Sequence, residues 1–283
     1  MSLIKEIAVL KSEIKKRSDG KCIKVGFVPT MGYLHKGHIS LIDQAKKEND
    51  LVVVSIFVNP TQFAVGEDLE SYPKDIEKDY KASIEAGADI IFNPEAPEMY
   101  GSDDSTFVIV EGDITKQLCG KSRPTHFKGV TTVVAKLFNI VNPTNAYFGQ
   151  KDAQQVAVIE KMVRDLNFDV NIVTCELVRE EDGLAMSSRN FYLNEEERKQ
   201  ALILSKSLLK VKDMFLNGER NVDNLKDFLV SNINTSDIAE IDYVEVLDAK
   251  TLLEISEINE KTLVALAVKF GKTRLIDNIY LEV

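Results

Sequence analysis

The sequence predicts an α/β fold: a doubly wound parallel sheet followed by a smaller C-terminal α/β domain. Three observations carry this expectation. Apolar β-type runs at 23–28, 51–58 and 90–92 alternate with stretches of helical spacing. The run Leu51-Val52-Val53-Val54-Ser55-Ile56-Phe57-Val58 is continuous, not alternating, as in a parallel strand covered on both faces. Each run stops at turn residues: Pro29 and Gly32, Asn59-Pro60, and Asn93-Pro94.

The elements follow in order. Residues 1–17 predict an amphipathic helix with Ile4, Ile7, Leu10 and Ile14 on one side. A strand from about 23 to 28 leads into a helix carrying Ile39, Leu41, Ile42 and Ala45. After the second strand, 73–86 reads as a helix with Pro73 near its first turn. The strand 90–92 comes next, then a loop over 95–105 and a short strand at 106–110. Residues 119–128 read as a loop, 129–141 as an apolar helix and 146–148 as a buried strand ending at Gly149. A helix over 153–166 and a strand over 170–178 complete a Rossmann-like domain, 1–179. The character changes near Glu180. Asn194-Glu-Glu-Glu opens a predicted single helix to Asn217, an N-cap followed by acids that suit the dipole. A helix at 222–233 and strands at 241–246, 262–268 and 274–281 make the smaller domain, 180–283, with Gly271-Lys272 as a hairpin turn.

A formal charge of −10 argues against a nucleic-acid or acidic-membrane partner, though it leaves room for a local basic pocket. Three scattered cysteines, Cys22, Cys119 and Cys175, suggest reduced thiols rather than a disulfide frame. No apolar run is long enough to span a bilayer, and residues 1–17 have no secretory apolar core. A cytoplasmic location is the expectation.

The chemistry concentrates at strand ends. From Val25 to His38 a strand, a tight turn and a helix start leave main-chain N–H groups facing outward, which suits a phosphate. His35 and His38, two of only three histidines, lie three apart and should share a helix face, with Gly37 allowing close approach. Without the strand and glycines they would read as solvated imidazoles. Gly149-Gln150-Lys151-Asp152 could neutralise a phosphate through Lys151 and, through Asp152, cap a helix or hold a ribose hydroxyl or a metal-bound water; alone it would read as a solvated turn. Met186-Ser187-Ser188-Arg189, after the turn residues Glu181-Asp182-Gly183, could clamp a triphosphate or be an ordinary polar loop. Gln62 in Asn59-Pro60-Thr61-Gln62-Phe63, and Gln154 and Gln155, offer neutral amides for a hydroxyl or carboxylate, or simply tie loops together.

Taken together these segments resemble the pantothenate synthetase (pantoate–β-alanine ligase) family. The matching stretches are Pro29-Thr30-Met31-Gly32-x-Leu34-His35-x-Gly37-His38, Ser55 to Phe63, Met186 to Asn190 and Thr273-Arg274-Leu275-Ile276-Asp277-Asn278, in the family's order. His-x-Gly-His alone is shared by a wider nucleotidyltransferase and class I aminoacyl-tRNA synthetase superfamily. Another nucleotidyltransferase, a tRNA-charging enzyme and a non-catalytic nucleotide-binding protein are the rival readings. The chain departs from the family at Gln150, where Glu is usual, at Lys128, where Arg is usual, and at Thr125, where Gly is usual.

The resemblance implies ATP-dependent condensation of (R)-pantoate with β-alanine through pantoyl adenylate, with release of pyrophosphate and AMP. It implies catalytic roles for His38, His35, Lys151 and Arg189. ATP would contact Met31, Gly32, Tyr33, Leu34, His35, Lys36, Gly37 and His38 in the first motif. It would also contact Gly149, Gln150, Lys151, Asp152, Val178, Met186, Ser187, Ser188 and Arg189. Gln62 and Gln155 would hold pantoate, with Gln62 also facing β-alanine. Mg²⁺ would accompany ATP, held chiefly by phosphate oxygens and water. Arg123, His126 and Lys128 are candidates for a charged rim, or belong to a solvated loop. The family further implies a homodimer built through the N-terminal domain, and the C-terminal domain is expected to act as a lid that keeps water from the acyl adenylate.

Overall fold

The structure, a computed structural model, describes residues 2–64 and 66–283. Their contacts divide into two compact units. One comprises Met1–Val110, Thr125–Gly149 and Val158–Glu176; the other comprises Glu111–Pro124, Gln150–Ala157 and Leu177–Val283.

The first unit holds a six-stranded parallel sheet: β1 (Ser2–Ile4), β2 (Val25–Thr30), β3 (Leu51–Ile56), β4 (Ile90–Phe92), β5 (Asn145–Gly149) and β6 (Asn171–Cys175). Their spatial order is β1-β4-β3-β2-β5-β6, with every pairing parallel. The winding reverses between β2 and β5, so the carboxyl ends of those two strands flank the crevice where such sheets take ligands. β3 and β4 are buried along their whole length, as the continuous apolar runs predict. One core cluster of this unit packs Ile42 and Ala45 against Val52, Val54 and Ile91.

The helices are α1 (Ile7–Ser18), α2 (Lys36–Glu48), α3 (Ile76–Glu85), α4 (Ala96–Met99), α5 (Cys119–Ser122), α6 (His126–Val141), α7 (Ala153–Asp165), α8 (Glu195–Ala201), α9 (Ile203–Leu216) and α10 (Val222–Ile233). The second unit adds an antiparallel sheet of β7 (Ala239–Asp248), β8 (Thr262–Phe270) and β9 (Thr273–Leu281), with Gly271-Lys272 turning β8 into β9. Its core draws on α9, α10 and the inward residues of this sheet, such as Leu208, Leu229 and Leu266.

Several predicted elements differ. The N-terminal segment is not one helix: Ser2–Ile4 is an edge strand paired with β4, and α1 starts at Ile7. That helix start is fixed by the Glu98 carboxylate, which accepts the Ile7 N–H at 2.8 Å from 91 residues away. β2 runs through Pro29 to Thr30 instead of stopping at it. It pairs with β3 throughout but with β5 only at Gly26 and Phe27, so proline's missing N–H falls beyond that second ladder.

Residues 106–110 form no strand. The main chain at Val108 bonds instead to side chains of α6, donating to Thr132 Oγ1 at 3.1 Å and accepting from Thr131 Oγ1 at 2.6 Å. α3 begins at Ile76, capped by Asp75, and not at Pro73. Residues 96–99 and 119–122 are short helices where loop was expected, and α6 begins three residues early, at His126. β6 stops at Cys175. The predicted helix 194–217 is two helices. Asn194 and Glu197 form the expected reciprocal cap, but Leu202 (φ −61°, ψ −16°) separates α8 from α9 with no proline or glycine to announce it.

Candidate active site

The histidine motif is the turn from β2 into α2. The Thr30 hydroxyl donates to the Ser55 carbonyl at 2.8 Å and accepts the Gly32 N–H at 3.2 Å. The chain then passes through left-handed backbone at Gly32 (φ +89°) and Tyr33 (φ +52°). A Cβ at position 32 would stand 3.0 Å from Asp79 Oδ2 and 3.1 Å from Ile56 Cγ2, so both conformation and space require glycine. Tyr33 has no such freedom, and its conformation costs about 1–3 kcal/mol. The buried Asp79 carboxylate holds it: the N–H groups of Tyr33 and Leu34 donate to Oδ2 and Oδ1, each at 2.7 Å. Asp79 lies on α3 and is 1 % exposed. Burial pushes its carboxyl above the ordinary aspartate range, and the two N–H bonds pull it back part of the way.

His35 is the N-cap of α2, with extended backbone (φ −129°, ψ 174°), and so does not lie on the helix face predicted for it. His35 Nδ1 accepts the Gly37 N–H at 3.2 Å, and His38 Nδ1 accepts the His35 N–H at 3.3 Å. Two histidines thus form a reciprocal cap of the kind usually made by Ser or Thr with Glu. Their rings lie 4.0 Å apart, centroid to centroid. With Nδ1 accepting, each neutral ring carries its proton on Nε2, as a donor. Lys36 is exposed.

The turn after β3 belongs to the same unit. Asn59, 1 % exposed, organises it: Nδ2 donates to Gln62 Oε1 (3.1 Å) and to the Gly129 carbonyl (3.2 Å), while Oδ1 accepts from Thr61 and from Tyr100 Oη (2.7 Å). Gln62 Nε2 reaches Met31 Sδ at 2.9 Å, so the amide after β3 and the motif after β2 are brought together. His126 Nδ1 lies 2.9 Å from the Gln62 carbonyl. Gly149 ends β5, with open space where a Cβ would stand.

In the second unit, Gln150, Lys151 and Asp152 form a single 3-10 turn ahead of α7, with Lys151 Nζ 3.7 Å from Asp152 Oδ1. Asn278 of β9 grips this turn: Nδ2 donates to the carbonyls of Gln150 and Lys151, both at 3.0 Å, and Oδ1 accepts from Gln150 Nε2 at 3.2 Å. Beside it, Arg179 and Asp277 form a forked pair at 2.7 and 2.9 Å. Val178 and Met186 are joined by a main-chain bond of 3.0 Å, which closes the small hairpin that delivers Ser187. Ser187 Oγ accepts the Arg189 N–H at 3.2 Å and caps the 3-10 turn Ser188–Tyr192. Gln155 is half-buried on the first turn of α7. Its neighbour Gln154 is spent on structure: its amide holds the carbonyls of Ile114 and Gln117 and the N–H of Cys119.

The sequence motifs alone assign no role to Asp79, Asn59, Gly129, Arg179 or Asn278. Asp79 meets Tyr33 across 46 residues. In sequence it sits in an acid-bearing first helical turn, which reads as a solvated dipole partner. Asp277-Asn278 did belong to a recognised segment, and two polar residues side by side in an apolar strand were the available signal. Among the described residues no three His, Cys, Asp or Glu side chains gather as a metal site.

A sequence model of the family described as "Pantoate-beta-alanine ligase" matches residues 2–280. The chain is 56 % identical to the pantothenate synthetase of Acetivibrio thermocellus, over 100 % of both chains. It is 55 % identical to that of Enterococcus faecalis, over 100 % of this chain and 99 % of the other. Among solved structures, pantothenate synthetase from Thermus thermophilus superimposes with a TM-score of 0.94 at 43 % identity, covering 99 % of each chain. Pantoate-beta-alanine ligase from Francisella tularensis, complexed with beta-gamma ATP and beta-alanine, gives 0.79 at 36 % identity, over 99 % of this chain and 97 % of the other.

Proposed function

This chain belongs to the pantoate–β-alanine ligase family, and from that premise we propose how its own residues carry the reaction. It is a ligase that condenses pantoate with β-alanine at the expense of ATP. In our reading the pantoate carboxylate attacks the α-phosphorus of ATP, giving pantoyl adenylate and pyrophosphate. The β-alanine amine then attacks the acyl carbon, and AMP leaves with its electron pair. Two anions must be brought together in the first step, so alignment and charge neutralisation do most of the work.

The observation that carries the residue assignment is the reciprocal histidine cap. It fixes both imidazoles with Nδ1 occupied as an acceptor, so each neutral ring offers a donor at Nε2. His38, seconded by His35, donates to phosphate oxygens as charge builds, a contribution of about 3–4 kcal/mol for such a donor. Met31 to Leu34, with Lys36 and Gly37, line the nucleotide through their main chain. So do Gly149, Gln150 and Val178. Lys151, Ser187, Ser188 and Arg189 hold the phosphate tail, following Met186, and Asp152 takes the ribose. Gln62 and Gln155 orient pantoate, and Gln62 also meets β-alanine. Magnesium would accompany ATP, held chiefly by phosphate oxygens and water, and would neutralise charge on the phosphates. The forward reaction needs no side-chain nucleophile, so no covalent enzyme intermediate forms.

Residues 1–179 serve in this reading as the nucleotide- and pantoate-binding part and 180–283 as a lid that shields the adenylate from water. A homodimer through the N-terminal part is supported by Phe107 and Ile109, 48 % and 57 % exposed on a segment of the first unit outside any helix or strand. No helix among the described residues is long and apolar enough to cross a membrane; we place the enzyme in the cytoplasm. The test is exchange of labelled pyrophosphate into ATP with pantoate alone, β-alanine alone, or both. Exchange with pantoate alone is expected; an absolute requirement for β-alanine contradicts the adenylate.

A further inference from the structure

We propose that Asn278 is a positioning residue for Lys151, and that the Arg179–Asp277 pair beside it ties the lysine turn to the hairpin that presents Ser187 to Arg189. This rests on the reading that Lys151 and the serine loop hold the phosphates of ATP.

Asn278 is 3 % exposed, so its amide must find partners inside the protein. It finds them all on one short segment. Two donor contacts go to consecutive carbonyls, Gln150 and Lys151, and the acceptor takes the Gln150 side chain. Those contacts also fix which end of the amide is nitrogen, because neither carbonyl can donate. A lysine side chain has four rotatable bonds and little intrinsic position. What aims it is the main chain it leaves from, and here that main chain is held by a residue of β9, a strand paired along its whole length with β8. A paired β-strand is a stiffer mount than a turn that starts a helix.

The grip continues. Asp277, 2 % exposed, accepts the Asn278 N–H at 2.7 Å on Oδ1 and receives both arms of Arg179. Arg179 Nη1 donates in turn to the Gly183 carbonyl at 3.1 Å, in the turn of the 178–186 hairpin. One chain of bonds therefore runs from the Lys151 carbonyl through Asn278, Asp277 and Arg179 to the hairpin leading into Ser187. The forked pair joins a buried carboxylate to a half-buried guanidinium, and its two parallel bonds fix one orientation that the two proposed phosphate-binding segments share.

The test uses the full-length enzyme and the pantoate-dependent pyrophosphate exchange. Asn278→Asp keeps the volume but sets an acceptor against two carbonyls. We expect kcat to fall roughly tenfold to a hundredfold, as for a catalytic group displaced by an ångström, with the KM for β-alanine unchanged in the complete reaction. In a Lys151→Ala background the same change should add no more than about a twofold loss, because the group it aims is already gone. A folded Asn278→Asp enzyme with wild-type kinetics, or losses that multiply in full, overturns the proposal. If Asn278→Asp does not fold, as judged by circular dichroism, Gln150→Ala decides. That variant removes one contact from a half-buried residue; a several-fold drop in kcat with an unchanged unfolding midpoint supports the proposal, and wild-type kinetics overturn it. Should Lys151→Ala itself be fully active, the phosphate reading of Lys151 falls, independently of what the Asn278 variants do to the turn.

Discussion

His38 accepts the main-chain N–H of His35 through Nδ1, so one ring both ends a helix and is aimed by it. The His35 ring has the same two duties, accepting the Gly37 N–H through its own Nδ1, and at position 35 they can be separated. Asn is among the best N-cap residues, so His35→Asn should keep stability to urea within about 0.5 kcal/mol of wild type. It removes the imidazole donor, and kcat should fall. His35→Ala should lose about 1 kcal/mol of stability as well. Equal activity in wild type and His35→Asn would confine His35 to capping.

Asp79 gives a prediction with a definite sign in pH. Burial holds its native carboxyl above the unfolded value of about 3.9, so the native state takes up the proton first as pH falls. A raised native value means this group favours folding most below the unfolded value, and that contribution is lost as pH rises through the native one. As pH rises above about 4 and through the native value, the wild type should therefore lose stability relative to Asp79→Asn, read from denaturant midpoints. Asp79→Asn leaves one of the two N–H groups, Tyr33 or Leu34, facing an amide donor. Its kcat should drop about tenfold or more from a displaced histidine loop. A stability difference that runs the other way with pH would remove the desolvation argument.

Gly129 tests, from behind, the turn proposed to hold pantoate. A Cβ there would stand 2.4 Å from the Thr61 carbonyl oxygen and 2.5 Å from Gln62 Cα, both main chain. Neither can swing aside, so Gly129→Ala should push the turn and cost about 1–3 kcal/mol of stability. The KM for pantoate should rise while that for ATP changes little, measured in the steady state. An unchanged KM for pantoate would detach Gln62 from that substrate.

Magnesium is predicted to travel with ATP. Chelation by EDTA should abolish turnover, excess Mg²⁺ should restore it, and the unfolding midpoint without nucleotide should not move. A midpoint that falls on chelation would mean that the protein itself holds a metal.

The sheet was legible because parallel strands buried on both faces are written as continuous apolar runs, as at Leu51–Ile56. The histidine motif was legible because a strand, a glycine turn and a helix start are local. What sequence hid is what distant residues decide. Ser2–Ile4 looks helical by spacing until β4 offers it a ladder. Residues 106–110 look like a strand until Thr131 and Thr132 take the main-chain bonds of Val108. The site divides the same way: the groups proposed to touch substrate lie in short motifs, whereas Asp79 and Asn278, proposed to aim them, make their bonds across 46 and 128 residues. Gln154 shows the converse, a motif neighbour whose amide is used up by a loop.

The claim on which the rest depends is that His38 stabilises charge on the phosphates during adenylate formation. Rapid-quench single-turnover measurement of pantoyl adenylate, with saturating ATP and pantoate and no β-alanine, addresses it directly. For His38→Ala the rate of that step should fall by about 10²–10³-fold while the fold is retained. A His38→Ala enzyme that forms the adenylate at the wild-type rate would contradict the account.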